Sequence, residues 1–120
     1  MIGRLGTVVL DCPDPRAAAD FYAAVLGLEV IGVEPDWVDI GPAPGGDGPR
    51  LSFQLAPDNP APTWPDPTVP QQLHLDIAVD DIAVAQEKVL ALGARLVSDD
   101  HGTWRVYADP AGHPFCLTFE

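Results

Sequence analysis

Hydrophobic and polar positions alternate along the chain with two different periods, and the period decides which element each stretch forms. In residues 73–79, Leu73, Leu75, Ile77 and Val79 fall on one side, and His74, Asp76 and Ala78 on the other. The same split sets Val8, Leu10 and Cys12 against Thr7, Val9 and Asp11, and Leu51, Phe53 and Leu55 against Ser52 and Gln54. It recurs with Phe115, Leu117 and Phe119 against Cys116 and Thr118. Each pattern predicts a strand with one apolar face and one partly polar, open face. A period of three to four appears instead at Ala18, Phe21, Tyr22 and Val25, and again at Ile82, Ala85, Val89 and Leu92. These stripes predict helices over about 15–26 and 81–92, each burying one face. Asp14 before Pro15 is a helix N-cap, and Gly27 and Gly93 stand where a left-handed residue would end each helix. Shorter strands are predicted near 28–33, 36–41, 94–98 and 103–108, the last closing at the turn Asp109-Pro110-Ala111-Gly112.

The pattern occurs twice. Thr7 matches His74 and Asp14 matches Asp81 at an offset of 67, while Gly27 matches Gly93 at 66. Aligning the ends of the halves sets Leu51–Leu55 against His113–Leu117, which matches Gln54 with Cys116. The chain therefore reads as two strand–helix–three-strand modules, about 1–56 and about 71–120, within a single domain. The connector of about 57–70 holds six prolines around Trp64; their fixed φ and missing N–H forbid a regular element there. A connection of this length suggests a binding loop or lid.

Composition narrows the function. With 18 acidic and 6 basic side chains the net charge is −12, which repels phosphate backbones and anionic lipid, so neither nucleic acid nor a membrane is expected as a partner. No stretch is apolar enough to span a bilayer, and Met1–Leu5 lacks the apolar core of a signal peptide, which points to the cytoplasm. Two cysteines, Cys12 and Cys116, are too few to staple a scaffold and are expected as reduced thiols. A chain of 120 residues can bury enough surface to fold without metal or disulfide.

The doubled βαβββ order, Asp14 seven residues before Phe21-Tyr22, the Leu26-Gly27 helix end and Asp109-Pro110-Ala111-Gly112 before the last strand resemble the vicinal oxygen chelate superfamily. That superfamily includes glyoxalase I, bleomycin-resistance proteins, extradiol dioxygenases and methylmalonyl-CoA epimerase. The resemblance covers nearly the whole chain. It implies an α+β fold of two βαβββ modules forming an incomplete eight-stranded barrel, with the helices outside, and a homodimer. In metal-dependent relatives four strand positions aim His or Glu side chains into a shared cup; by the repeat these are Thr7, Gln54, His74 and Cys116. Only His74 keeps a usual ligand type. A hydroxyl and an amide neither balance the charge of a divalent ion nor hold it tightly, so no metal cofactor is expected.

Among individual residues, His74 and Asp76 share a strand face about 7 Å apart along the chain and are candidate ligand anchors or a general base. Thr7, Gln54, His74, Asp76, Trp104 and Cys116 are the expected ligand-binding set. Cys116 has no basic neighbour in sequence to activate it, so an inert thiol is the simpler reading. A zinc site built from His74, Asp76 and Cys116 would be a novel arrangement. Trp64 is a candidate lid or dimer contact, or else an anchor for its own loop. Arg50 and Arg105 are read as surface partners for acids, and His101 and His113 as solvated turn residues. The leading expectation is a small-molecule-binding protein, with a metal-dependent lyase, isomerase or dioxygenase around His74 as the alternative.

Overall fold

The computed structural model describes residues 1–119. The chain divides into two compact units, Met1–Asn59 and Pro60–Glu120. The first runs β1 (Val8–Cys12), α1 (Pro15–Leu26), β2 (Glu29–Glu34), β3 (Trp37–Gly41) and β4 (Leu51–Leu55). The second runs β5 (Leu75–Ala78), α2 (Ile82–Ala91), β6 (Arg95–Ser98), β7 (Trp104–Ala108) and β8 (Pro114–Thr118). Each forms one four-stranded mixed sheet, ordered β1-β4-β3-β2 and β5-β8-β7-β6. The outer pairs β1–β4 and β5–β8 are parallel, and the others antiparallel. The chain is thus α+β, two tandem βαβββ modules.

Local chemistry explains the helix bounds. Asp14 accepts the Ala17 N–H at 3.1 Å and Pro15 opens α1 with φ already helical. At the far end Gly27 takes φ 67, and the Leu28 N–H reaches back to the Ala23 carbonyl at 3.0 Å. In the second unit Asp81 accepts from Ala83 and Val84, Gly93 takes φ 107, and the Ala94 N–H reaches the Val89 carbonyl at 3.0 Å. The two helices share one start and one stop device.

They differ in burial. Helix α1 buries Ala18, Ala19, Phe21, Tyr22 and Ala23. There Tyr22 meets Phe21 edge-on at 5.0 Å and stacks on Phe53 at 5.8 Å. Helix α2 buries Val89 alone; Ile82 and Ala85 are half-covered and Leu92 is exposed, so its expected apolar face is only partly sealed. Polar contacts do part of the docking. The Gln86 Oε1 accepts from both the Arg105 guanidinium at 2.8 Å and the Tyr107 hydroxyl at 2.7 Å. Arg105 is thus a strand-to-helix tie, where the sequence suggested a surface ion pair.

A second correction concerns His113. The turn position suggested a solvated side chain, yet His113 is 2% exposed and its Nδ1 lies 3.5 Å from an oxygen of buried Asp109. The corner between β7 and β8 is closed from within: Asp109 Oδ1 accepts from the N–H groups of Ala111 and His113, and the Asp109 carbonyl accepts from Gly112. It also packs under the proline-rich segment, because a Cβ placed on Gly112 would stand 2.8 Å from the Cβ of Ala61.

No helix of the described residues is long and apolar enough to cross a membrane. Neither cysteine is in a disulfide.

Two glycines separate backbone strain from collision. Gly27→Ala meets open space and bears only the left-handed penalty, so unfolding in urea should show a loss of about 1 kcal/mol. Gly112→Ala, at φ 93, bears that penalty and the clash with Ala61, and the same titration should show a clearly larger loss. Equal losses would remove the packing of this corner as an explanation.

Candidate functional site

The open face of the second sheet is built by pairing register. Parallel pairing sets Asp76 beside Cys116, and antiparallel pairing sets Cys116 beside Val106, so one row across the sheet reads Asp76, Cys116, Val106. The adjoining row reads Ala78, Thr118, Trp104. Directly paired residues share a face. Helix α2 lies on the opposite side, reached by Arg105 and Tyr107.

His74 precedes β5 by one residue and so shares its face with Asp76. Its Nε2 lies 3.6 Å from the Asp76 carboxylate, with side-chain exposures of 43% and 62%. The Cys116 thiol stands beside the same carboxylate. Burial, and then the negative charge and hydrogen bond of Asp76, push that thiol up to about 11. It stays protonated at neutral pH, a poor nucleophile. One donor atom each from His74, Asp76 and Cys116 lies within 4.8 Å of the others. An imidazole, a carboxylate and a thiol are the donor types that suit a zinc-like ion, provided the thiol gives up its proton.

These groups open into a cavity of about 770 Å³ walled by Trp64, Trp104 and Phe119 and edged by Asp80 and Thr103. Trp104 is 41% exposed, and its ring stacks on His101 at 4.6 Å. The sequence suggested a solvated His101; it is half-buried and stacked on the aromatic wall. Trp64 stands on a segment held by its own bonds, the Thr63 N–H to the Val69 carbonyl at 2.8 Å and the Thr68 N–H to Asp66 Oδ1 at 2.7 Å.

Of the expected set, His74, Asp76, Trp104 and Cys116 line this one cavity, and Thr7 and Gln54 belong to the first unit. There the register differs from the alignment of the halves. Val9 pairs with Ser52, as its counterpart Asp76 pairs with Cys116, so Ser52 matches Cys116 and Gln54 matches Thr118. Trp37 pairs with Gln54 and thereby matches Trp104, again at an offset of 67. The Thr7 hydroxyl lies 2.9 Å from the Ser52 hydroxyl, and Asp39 accepts from both Ser52 and the Trp37 indole. Gln54 is exposed. Sequence reading missed Asp39, Ser52, Asp80 and Phe119. The Trp37–Trp104 spacing was the signal for the first two; alternation sets Phe119 on the apolar side with Phe115 and Leu117, but it lies past the end of β8 and lines the cavity instead.

Residues 7–118 match the profile of the glyoxalase-like domain family. No curated protein matches the chain significantly in sequence. Among solved structures, a glyoxalase/bleomycin resistance/dioxygenase family enzyme from Burkholderia phytofirmans PsJN is 18% identical with a TM-score of 0.72, over 94% of this chain and 95% of that one. A fosfomycin resistance protein from Mesorhizobium loti is 13% identical with a TM-score of 0.70, over 98% and 92%. The bleomycin-binding protein from Streptomyces verticillus, solved with copper(II)-bleomycin, is 20% identical with a TM-score of 0.57, over 100% and 99%. At these identities the likeness shows a shared fold.

The Asp76–Cys116 contact has a chemical signature. Alkylation of Cys116 by iodoacetamide, followed by peptide mass spectrometry, should rise about tenfold per pH unit and level off only above about pH 11. Asp76→Asn removes the charge that favours the neutral thiol, so its thiolate fraction and alkylation rate at pH near 8 should rise. An unchanged rate would separate the two side chains.

Proposed function

The chain belongs to the glyoxalase-like domain family of the vicinal oxygen chelate superfamily, and from that premise we propose that it binds a small organic molecule in the second unit's cavity without a resident metal. The observation that carries this reading is the cavity of about 770 Å³, with aromatic walls and a polar corner of His74, Asp76 and Cys116. Apolar walls supply affinity, and a few placed polar groups set orientation. Asp76 accepts a ligand N–H or O–H; His74 donates or accepts according to its tautomer. Cys116, held as a thiol, packs the floor and performs no nucleophilic step. The protein would act by sequestration or by proton transfer at His74 and Asp76, working in the cytoplasm as a homodimer. A drug-binding structural neighbour supports sequestration as one use of this fold.

A second reading is favoured by the three donor atoms within 4.8 Å. Here His74, Asp76 and Cys116 would hold a divalent ion, which would supply a Lewis acid for a lyase, isomerase or dioxygenase. The carboxylate would then bind the ion while the thiol loses its proton.

Two measurements divide these readings. Protein purified without a tag should carry well under one equivalent of zinc, iron, manganese or nickel by mass spectrometry of the digested sample; one equivalent, lost in Cys116→Ser, would establish the second reading. In a thermal-shift screen of aromatic probes, a ligand at about 100 times its Kd should raise the melting temperature of the wild type by several degrees. His74→Ala should fold with a nearly unchanged melting point and lose that response. A wild-type protein that no probe stabilises would remove the binding reading.

A further inference from the structure

We infer that the cavity selects planar aromatic ligands that carry a positive charge. This rests on the reading of the cavity as a binding site and adds the chemistry of its occupant. Two carboxylates, Asp76 and Asp80, line the space, and no lysine or arginine does so among the described residues. The one basic group, His74, already stands 3.6 Å from Asp76. An anionic ligand would therefore meet two like charges with no cation to offset them, within a chain of net charge −12.

The walls specify shape. Trp64, Trp104 and Phe119 line one space, and the Trp104 ring stacks on the His101 ring at 4.6 Å and 11°. A flat ring system gains contact area against such walls. A positive charge on that ring system is attracted both to the indole faces and to the carboxylates. Cys116 does not oppose this selection, because a thiol that stays protonated adds neither charge nor a strong acceptor.

The test compares three probes with one skeleton by equilibrium dialysis at pH 8: N-methylacridinium, which is cationic, acridine, which is neutral, and acridine-9-carboxylate, which is anionic. N-methylacridinium should bind roughly tenfold more tightly than acridine, and the carboxylate most weakly. In the double variant Asp76→Asn, Asp80→Asn the cation-to-neutral ratio should fall below about threefold. The double variant Asp47→Asn, Asp58→Asn changes net charge equally at exposed sites of the first unit and should keep the wild-type ratio. Equal affinity for cation and neutral ring would overturn the inference and leave the binding reading intact. An equal fall in both double variants would also overturn it, since overall charge would then be the cause. Failure of all three acridines to bind the wild type would overturn the inference and the binding reading together.

Discussion

Side chains alternate along a strand, and the parallel register of β5 and β8 turns that alternation into a site. Pairing Asp76 with Cys116 puts a carboxylate against a thiol, and the two-residue step to His74 adds an imidazole on the same side. Leu75, Ile77, Phe115 and Leu117 are sent the other way by the same rule, toward the helix. A slip of one residue in either strand would exchange the two sets and bury the polar ones. Registry is therefore the constraint beneath both the core of the second unit and its chemistry, and a glyoxalase-like domain uses one backbone arrangement for both tasks.

The two modules keep the same scaffold and spend their open faces differently. In the first unit Thr7, Ser52, Asp39 and Trp37 satisfy one another through a chain of hydrogen bonds. In the second, the corresponding row carries a hydrophobic Val106 in place of Asp39, so the polar groups of His74, Asp76 and Cys116 gather at one side and the remaining floor is apolar. Duplication followed by this divergence leaves one face that is internally satisfied and another that opens into a cavity. The helices diverge in parallel: α1 is anchored by aromatic burial, and α2 largely through Gln86, Arg105 and Tyr107.

Much of this was legible in the sequence where the signal is local. Asp14, Asp81, Gly27 and Gly93 mark the helix ends through interactions within a few residues, and period-two alternation placed His74, Asp76 and Cys116 on open strand faces. What escaped was non-local. Gln54 was matched with Cys116 because the strand ends look alike, whereas the hydrogen-bonded register with β1 selects Ser52. His113 reads as solvated because a turn usually is, yet its corner closes on Asp109 and sets Gly112 against Ala61, some fifty residues earlier in chain order. The partial exposure of α2 goes with a docking made in part through Gln86, Arg105 and Tyr107, which alternation alone does not report.

The corner from Asp109 to His113 sets more than a change of direction. Asp109 binds its neighbours with side chain, N–H and carbonyl at once, so this connection tolerates one length. Length here is parity: a single inserted residue that left the corner intact would present Phe115 and Leu117 where Cys116 and Thr118 now stand, while a pair of inserted residues would restore the sidedness one rung further along. Chain-length variation among descendants of such a module should accordingly avoid this corner, or enter it in even steps.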